Sequence, residues 1–114
     1  MSLSVVKSEA GLTVVALDGR LDAGAVEEIR ERFLAETTSR GHPVVVDVAG
    51  VTFLASLGIW MFVEAAKALQ PHGAKLALVG PQPLVEKSLR ASGFAAMVGI
   101  HPDLRDAERA LRSP

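Results

Sequence analysis

The chain has no cysteine. That excludes a disulfide framework, a thiol nucleophile and any zinc site built on thiolates. It also lacks an excess of charge. Twelve Lys and Arg stand against thirteen Asp and Glu, a formal net charge of −1. A nucleic-acid binder normally carries a basic surplus, so no direct nucleic-acid binding is expected. No apolar run approaches the ~18–20 residues of a transmembrane span, so no membrane insertion is expected either. The start, Met1-Ser2-Leu3-Ser4, lacks the basic residues and apolar stretch of a secretory leader. These absences together point to a cytoplasmic protein.

What is present is ordinary globular material. Of 114 residues, 49% are hydrophobic and 22% charged, too apolar a balance for a disordered chain. The length suits one domain, residues 1–114, with enough surface to bury for a real core. No repeat, low-complexity tract or linker divides it.

The pattern alternates strands and helices. Leu3 to Lys7 and Leu12 to Leu17 are β-prone, and Glu9-Ala10-Gly11 between them reads as a hairpin turn. Asp22 is placed to cap a helix in which Val26, Ile29, Phe33 and Thr37 recur at helical spacing. Val44 to Val48 is a β-branched run suited to a strand buried on both faces. A second helix is expected over Leu57 to Leu69, a strand over Lys75 to Val79, and a third helix over Pro83 to Ala91 with Gly93 at its C-terminal cap. A short strand over Met97 to Ile100 and a last helix, capped by Asp103 and running to Arg112, complete the chain. The fold class is therefore α/β: about five strands in a mixed, mostly parallel sheet, packed with about four helices.

Catalytic and ligand motifs are missing. There is no Gly-x-Ser-x-Gly elbow, no Gly-x-x-x-x-Gly-Lys-Ser/Thr phosphate loop and no Gly-x-Gly-x-x-Gly turn. His42, His72 and His101 read as ordinary loop histidines, with no metal-ligand spacing between them. Asp47 reads as the end of a strand, with a loop-capping role. No cofactor, metal or small-molecule ligand is expected, and no enzymatic activity.

The unusual segment opens the second helix, Phe53-Leu54-Ala55-Ser56-Leu57-Gly58-Ile59-Trp60-Met61-Phe62-Val63. Ile59, Phe62, Val63, Ala66 and Leu69 fill one apolar stripe. Leu57, Trp60 and Met61 are left over, pointing partly away from the core, with Glu64 and Lys67 as a polar rim on the same outer side. Either the helix is unusually buried, or these residues form a patch that meets a partner. Ser56 stands where an N-cap is expected. A phosphate is also tolerated there, because the free N–H groups and dipole of a helix start favour negative charge.

Read as a whole, Val45 through Ile59 resembles the central motif of the STAS family, which includes the bacterial anti-sigma factor antagonists, or anti-anti-sigma factors. Gly19-Arg20-Leu21-Asp22, Gly73 through Gly80, Pro83-Leu84-Val85 and Ser92-Gly93-Phe94 fall in the matching order, so the likeness spans about Leu3 to Leu111. The resemblance implies a phosphoprotein of transcription regulation, working by protein–protein interaction. Its partner would be an anti-sigma factor that is itself a serine kinase of ATPase fold. The phosphoacceptor falls on Ser56 and the family glycine on Gly58. Ala55 and Leu57 depart from the family pattern, standing where it has Asp and Ser. The expected partner surface is Asp22, Ser56, Leu57, Trp60 and Met61. An alternative within the same family is a soluble accessory subunit of an ABC-type lipid transport system. A tail of an anion transporter is not expected, because no membrane segment precedes the domain.

Overall fold

The computed structural model describes residues 1–112; Ser113 and Pro114, the end of the 1–114 domain read from the sequence, lie outside the described residues. Two antiparallel strands, β1 (Ser2–Glu9) and β2 (Leu12–Leu21), open the chain. Ala10 and Gly11 join them, both at positive φ, 53° and 74°. That is the sign pattern of the type I′ turn, whose twist matches the strands it connects. Then follow α1 (Ala23–Thr38), β3 (Val44–Leu54), α2 (Ser56–Leu69), β4 (Leu76–Val79), α3 (Pro83–Ala91), β5 (Gly99–His101) and α4 (Leu104–Arg112).

The five strands lie in sequence order, and every pair after the hairpin is parallel. Parallel neighbours need crossovers, and crossovers are right-handed. Three successive crossovers in one direction put α1, α2 and α3 on the same face of the sheet. The main core sits there: Val15, Leu17, Val46 and Leu78 of the strands meet Phe33 of α1, Phe62 of α2 and Leu89 of α3. Phe62 stands at its centre, 5.8 Å from the Phe33 ring and 6.2 Å from that of Phe94. Among the described residues only α4 covers the opposite face, where Ala107, flanked by Leu104 and Leu111, packs on Val14, Val45 and Ala77. Asp103 caps α4 by accepting from the Asp106 amide at 2.9 Å.

The strands differ in extent from the sequence pattern, most of all β3 and the last strand. β3 runs six residues past Val48, to Leu54. Its extension pairs with Asp18 to Leu21 of a β2 that itself runs past Leu17, across two register irregularities. Gly50 sits at this irregular stretch because Asp18 lies over it: a Cβ there would fall 1.7 Å from the Asp18 carboxylate. Glycine marks an irregular ladder here, not the end of a strand. Asp47 is consequently inside β3 and not at its end, and its carboxylate accepts from the Ala49 amide at 2.9 Å. The last strand is Gly99–His101, not Met97 to Ile100, which places His101 in the sheet. The amides of Met97 and Val98 both donate to the Phe94 carbonyl, at 2.9 and 3.0 Å, closing a 3₁₀ turn over Phe94–Ala96. Those donors are spent before the ladder begins.

Two substitutions test this architecture by thermal or denaturant unfolding. Phe62→Ala removes the central ring of the core and lowers stability by about 3–5 kcal/mol. Ala10→Asn places a residue tolerant of the left-handed region in the hairpin turn and raises stability by about 1 kcal/mol.

Candidate functional site at the start of the second helix

The carboxyl ends of β2 and β3 finish side by side, with Leu21 opposite Leu54. The Ala55 amide donates to the Leu21 carbonyl at 2.9 Å, which fixes the turn from β3 into α2 beside the turn from β2 into α1. Gly58 completes the junction. A Cβ on it would lie 2.7 Å from Leu54 Cδ1 and 3.0 Å from Leu21 Cδ2. Glycine costs about 1 kcal/mol in a helix interior, and here it admits the first turn of α2 onto two leucines.

This seating decides which face of α2 is buried. Gly58, Met61, Phe62, Ala65 and Leu69 point inward, at spacings of i, i+3, i+4, i+7 and i+11. The inward stripe is therefore turned towards Met61 and Ala65 from the one centred on Ile59 and Ala66. Met61 is only 1% exposed. Its assignment to the exposed patch is corrected: it is core, carried inward one turn after Gly58. Leu57 and Trp60 do face outward, at 52% and 64% exposure.

Ser56 is the first residue of α2 and not its N-cap. The cap position belongs to Ala55, which has no side-chain oxygen to offer the free amides. Ser56 itself is exposed, and among the described residues its hydroxyl makes no hydrogen bond. Asp22 is tied down differently. Its carboxylate accepts from the Ala25 amide at 2.9 Å and caps α1. Arg20 lies 3.9 Å from the same carboxylate and stacks its guanidinium over the Phe53 ring, 4.4 Å from the centroid. Asp22, Arg20, Phe53 and the start of α2 thus share the carboxyl end of the sheet.

Beside α2 runs a groove of about 300 Å³. Ser56, Trp60, Val63 and Lys67 form one wall, and Phe94 and Met97 line it from the loop before β5. Met97 is 54% exposed. The sequence pattern gave it to a strand and so missed it. Its one signal is Ser92-Gly93, where Gly93 takes φ 83° and turns the chain back towards α2. The polar rim is also divided. Lys67 stays with Trp60 in the groove, whereas Glu64 turns to α1 and forms a two-pronged ion pair with Arg30.

A hairpin leading into a parallel sheet, with three helices on one face and one on the other, defines a small mixed α/β domain. Residues 4–107 match the STAS domain model, and the chain belongs to that family. Its fold is similar to that of an anti-sigma factor antagonist from Mycobacterium paratuberculosis, at 21% identity and TM-score 0.84, covering 98% of this chain and 96% of that one. The phosphorylated form of the Bacillus cell fate determinant SpoIIAA is another structural relative, at 20% identity and TM-score 0.70, covering 97% and 100%. Among curated sequences the chain is 29% identical over 100 residues to high affinity sulfate transporter 2 of Stylosanthes hamata. That match takes in 78% of this chain and spans only 15% of the transporter. Among the described residues no helix is long and apolar enough to cross a membrane, and no group of three His, Asp or Glu could hold a metal ion.

The two faces of α2 give opposite outcomes on unfolding. Met61→Ala lowers stability by about 2–5 kcal/mol, as expected of a buried side chain. Trp60→Ala changes it by less than about 0.5 kcal/mol, as expected of a surface residue. Equal losses at the two positions would contradict this orientation of the helix.

Proposed function

We propose that the chain is a non-enzymatic anti-sigma factor antagonist of the cytoplasm. In this reading it binds an anti-sigma factor, itself a serine kinase of ATPase fold, and so releases the sigma factor. The contact surface is the start of α2 with Asp22 beside it. The carrying observation is the juxtaposition on one exposed helix turn of an unbonded hydroxyl, Ser56, with two large apolar side chains, Leu57 and Trp60. Isolated exposed apolar residues are common, but an adjoining Trp and Leu beside an apolar groove suit a protein contact. The antagonist named among the structural relatives, and the phosphorylated state of another, support the same reading.

Phosphorylation of Ser56 would act as the switch. At the first position of a helix a phosphate is favoured by the dipole, so the fold persists. It brings about −1.5 to −2 charges into an apolar contact, and their desolvation opposes binding. The departures at Ala55 and Leu57 leave the acceptor in place and make its surroundings less polar.

Calorimetric titration with an ATPase-fold serine kinase anti-sigma factor from the same genome tests this. Ser56→Ala binds as the wild type does and loses no cap hydrogen bond. Ser56→Asp stays folded and binds at least about tenfold more weakly, and Trp60→Ala loses a similar factor, as hot-spot truncations do. Wild-type affinity in both Ser56→Asp and Trp60→Ala would remove α2 from the interface.

The likeness to the sulfate transporter favours one other reading, in which the chain is the STAS portion of an anion transporter. An immunoblot of the native polypeptide separates the two: a soluble species near the mass of this chain supports the antagonist, and a much larger one in the membrane fraction supports the transporter.

A further inference from the structure

We infer that the groove beside α2 takes an amphipathic helix of the partner with a carboxylate in its first turn, lying antiparallel to α2. This inference rests on the reading of α2 as the partner surface and specifies what that surface accepts. The groove is mostly apolar, with Trp60, Val63, Phe94 and Met97 on its walls beside Ser56 and Ser92. Its one charged lining residue is Lys67, which forms no ion pair among the described residues. The neighbouring Glu64 is neutralised by Arg30 on the other side of the helix, so it does not offset this positive charge. An occupant must therefore present apolar side chains along the groove and a negative group near Lys67.

Length and polarity fix the rest. Ser56 and Lys67 are eleven residues apart on α2, about 16 Å or three helical turns. An occupying helix of about twelve residues spans that distance, anchored at i, i+3, i+4 and i+7. Carboxylates are favoured in the first turn of a helix. A carboxylate at Lys67 then places the occupant's amino end at Lys67 and its carboxyl end at Ser56. There the occupant's free carbonyls face the uncapped amides of α2, opposite dipole ends in contact. In the same orientation a phosphate on Ser56 would meet the negative end of the bound helix and oppose its binding.

Trp60 is the chain's single tryptophan, so its fluorescence reports the groove directly. A phage library of random dodecapeptides, selected on wild-type protein and counter-selected on Trp60→Ala, supplies the probes. The expected selectants carry helically spaced apolar residues with Asp or Glu in the first turn. They shift Trp60 emission to the blue, bind Ser56→Asp more weakly, and lose at least about tenfold in affinity on Lys67→Glu. Selection repeated on Lys67→Glu yields Lys or Arg in place of the acid. Selectants without acidic bias, selectants indifferent to Lys67→Glu, or no enrichment over Trp60→Ala would each overturn the inference. If that happens while Trp60→Ala still weakens the kinase, the helix start remains the partner surface and only the groove occupant is wrong. If Trp60→Ala and Ser56→Asp both leave kinase binding intact, α2 is not the partner surface and the inference falls with that reading.

Discussion

The site depends on one close approach, that of Gly58 to Leu21 and Leu54. The parallel pairing of β2 and β3 brings those leucines together, and the missing side chain lets the first turn of α2 rest on them. Every later feature of the helix follows from this contact. Residues three, four and seven positions on are carried inward as Met61, Phe62 and Ala65, and Trp60 is left outside. Phe62 then lands between Phe33 and Phe94, which ties the orientation of α2 to α1 and to the loop before β5. A helix turned back by one residue would bury Leu57 and Trp60 beside Met61 and carry Phe62 out of that aromatic cluster.

The length of β3 matters for the same reason. Had the strand ended at Val48, α2 would start further from the turn into α1. The six additional residues carry it to the level of Leu21, so that Asp22 and Ser56 sit at the same end of the sheet. Gly50, which admits Asp18 over the backbone, stands where the pairing resumes after the first irregularity. Glycines at 50 and 58 thus do related work: each removes a side chain where two parts of the chain must come close.

Charge is arranged with similar economy. Arg30 and Glu64 pair across α1 and α2, Arg20 lies on Phe53 and near Asp22, and Lys67 is left to the groove. The net charge of the whole chain, −1, conceals this local asymmetry. At the amino end of α2 the uncapped amides add partial positive charge, because Ala55 at the cap position has no side-chain oxygen to accept from them. The outer side of α2 therefore combines an apolar wall with two regions of positive potential, an arrangement that a phosphate on Ser56 would alter at one end.

Hydrophobic period and turn chemistry were enough to define the α/β class, the order of strands and helices, the hairpin, the caps at Asp22 and Asp103, and the core positions Val26 and Phe33. These are short-range properties: each depends on residues a few positions apart. The motif likeness alone points to the start of α2. Three things lay beyond that reach. The full length of β3 depended on its partner strand tolerating an irregular ladder. The place of Met97 depended on a 3₁₀ turn consuming the amides that a strand would have used. The facing of α2 depended on what Gly58 touches. Leu57, Trp60 and Met61 are equally apolar in one dimension, and only the contact of Gly58 with leucines more than thirty positions earlier and four positions earlier in the chain turns Met61 into the core and leaves Leu57 and Trp60 at the surface.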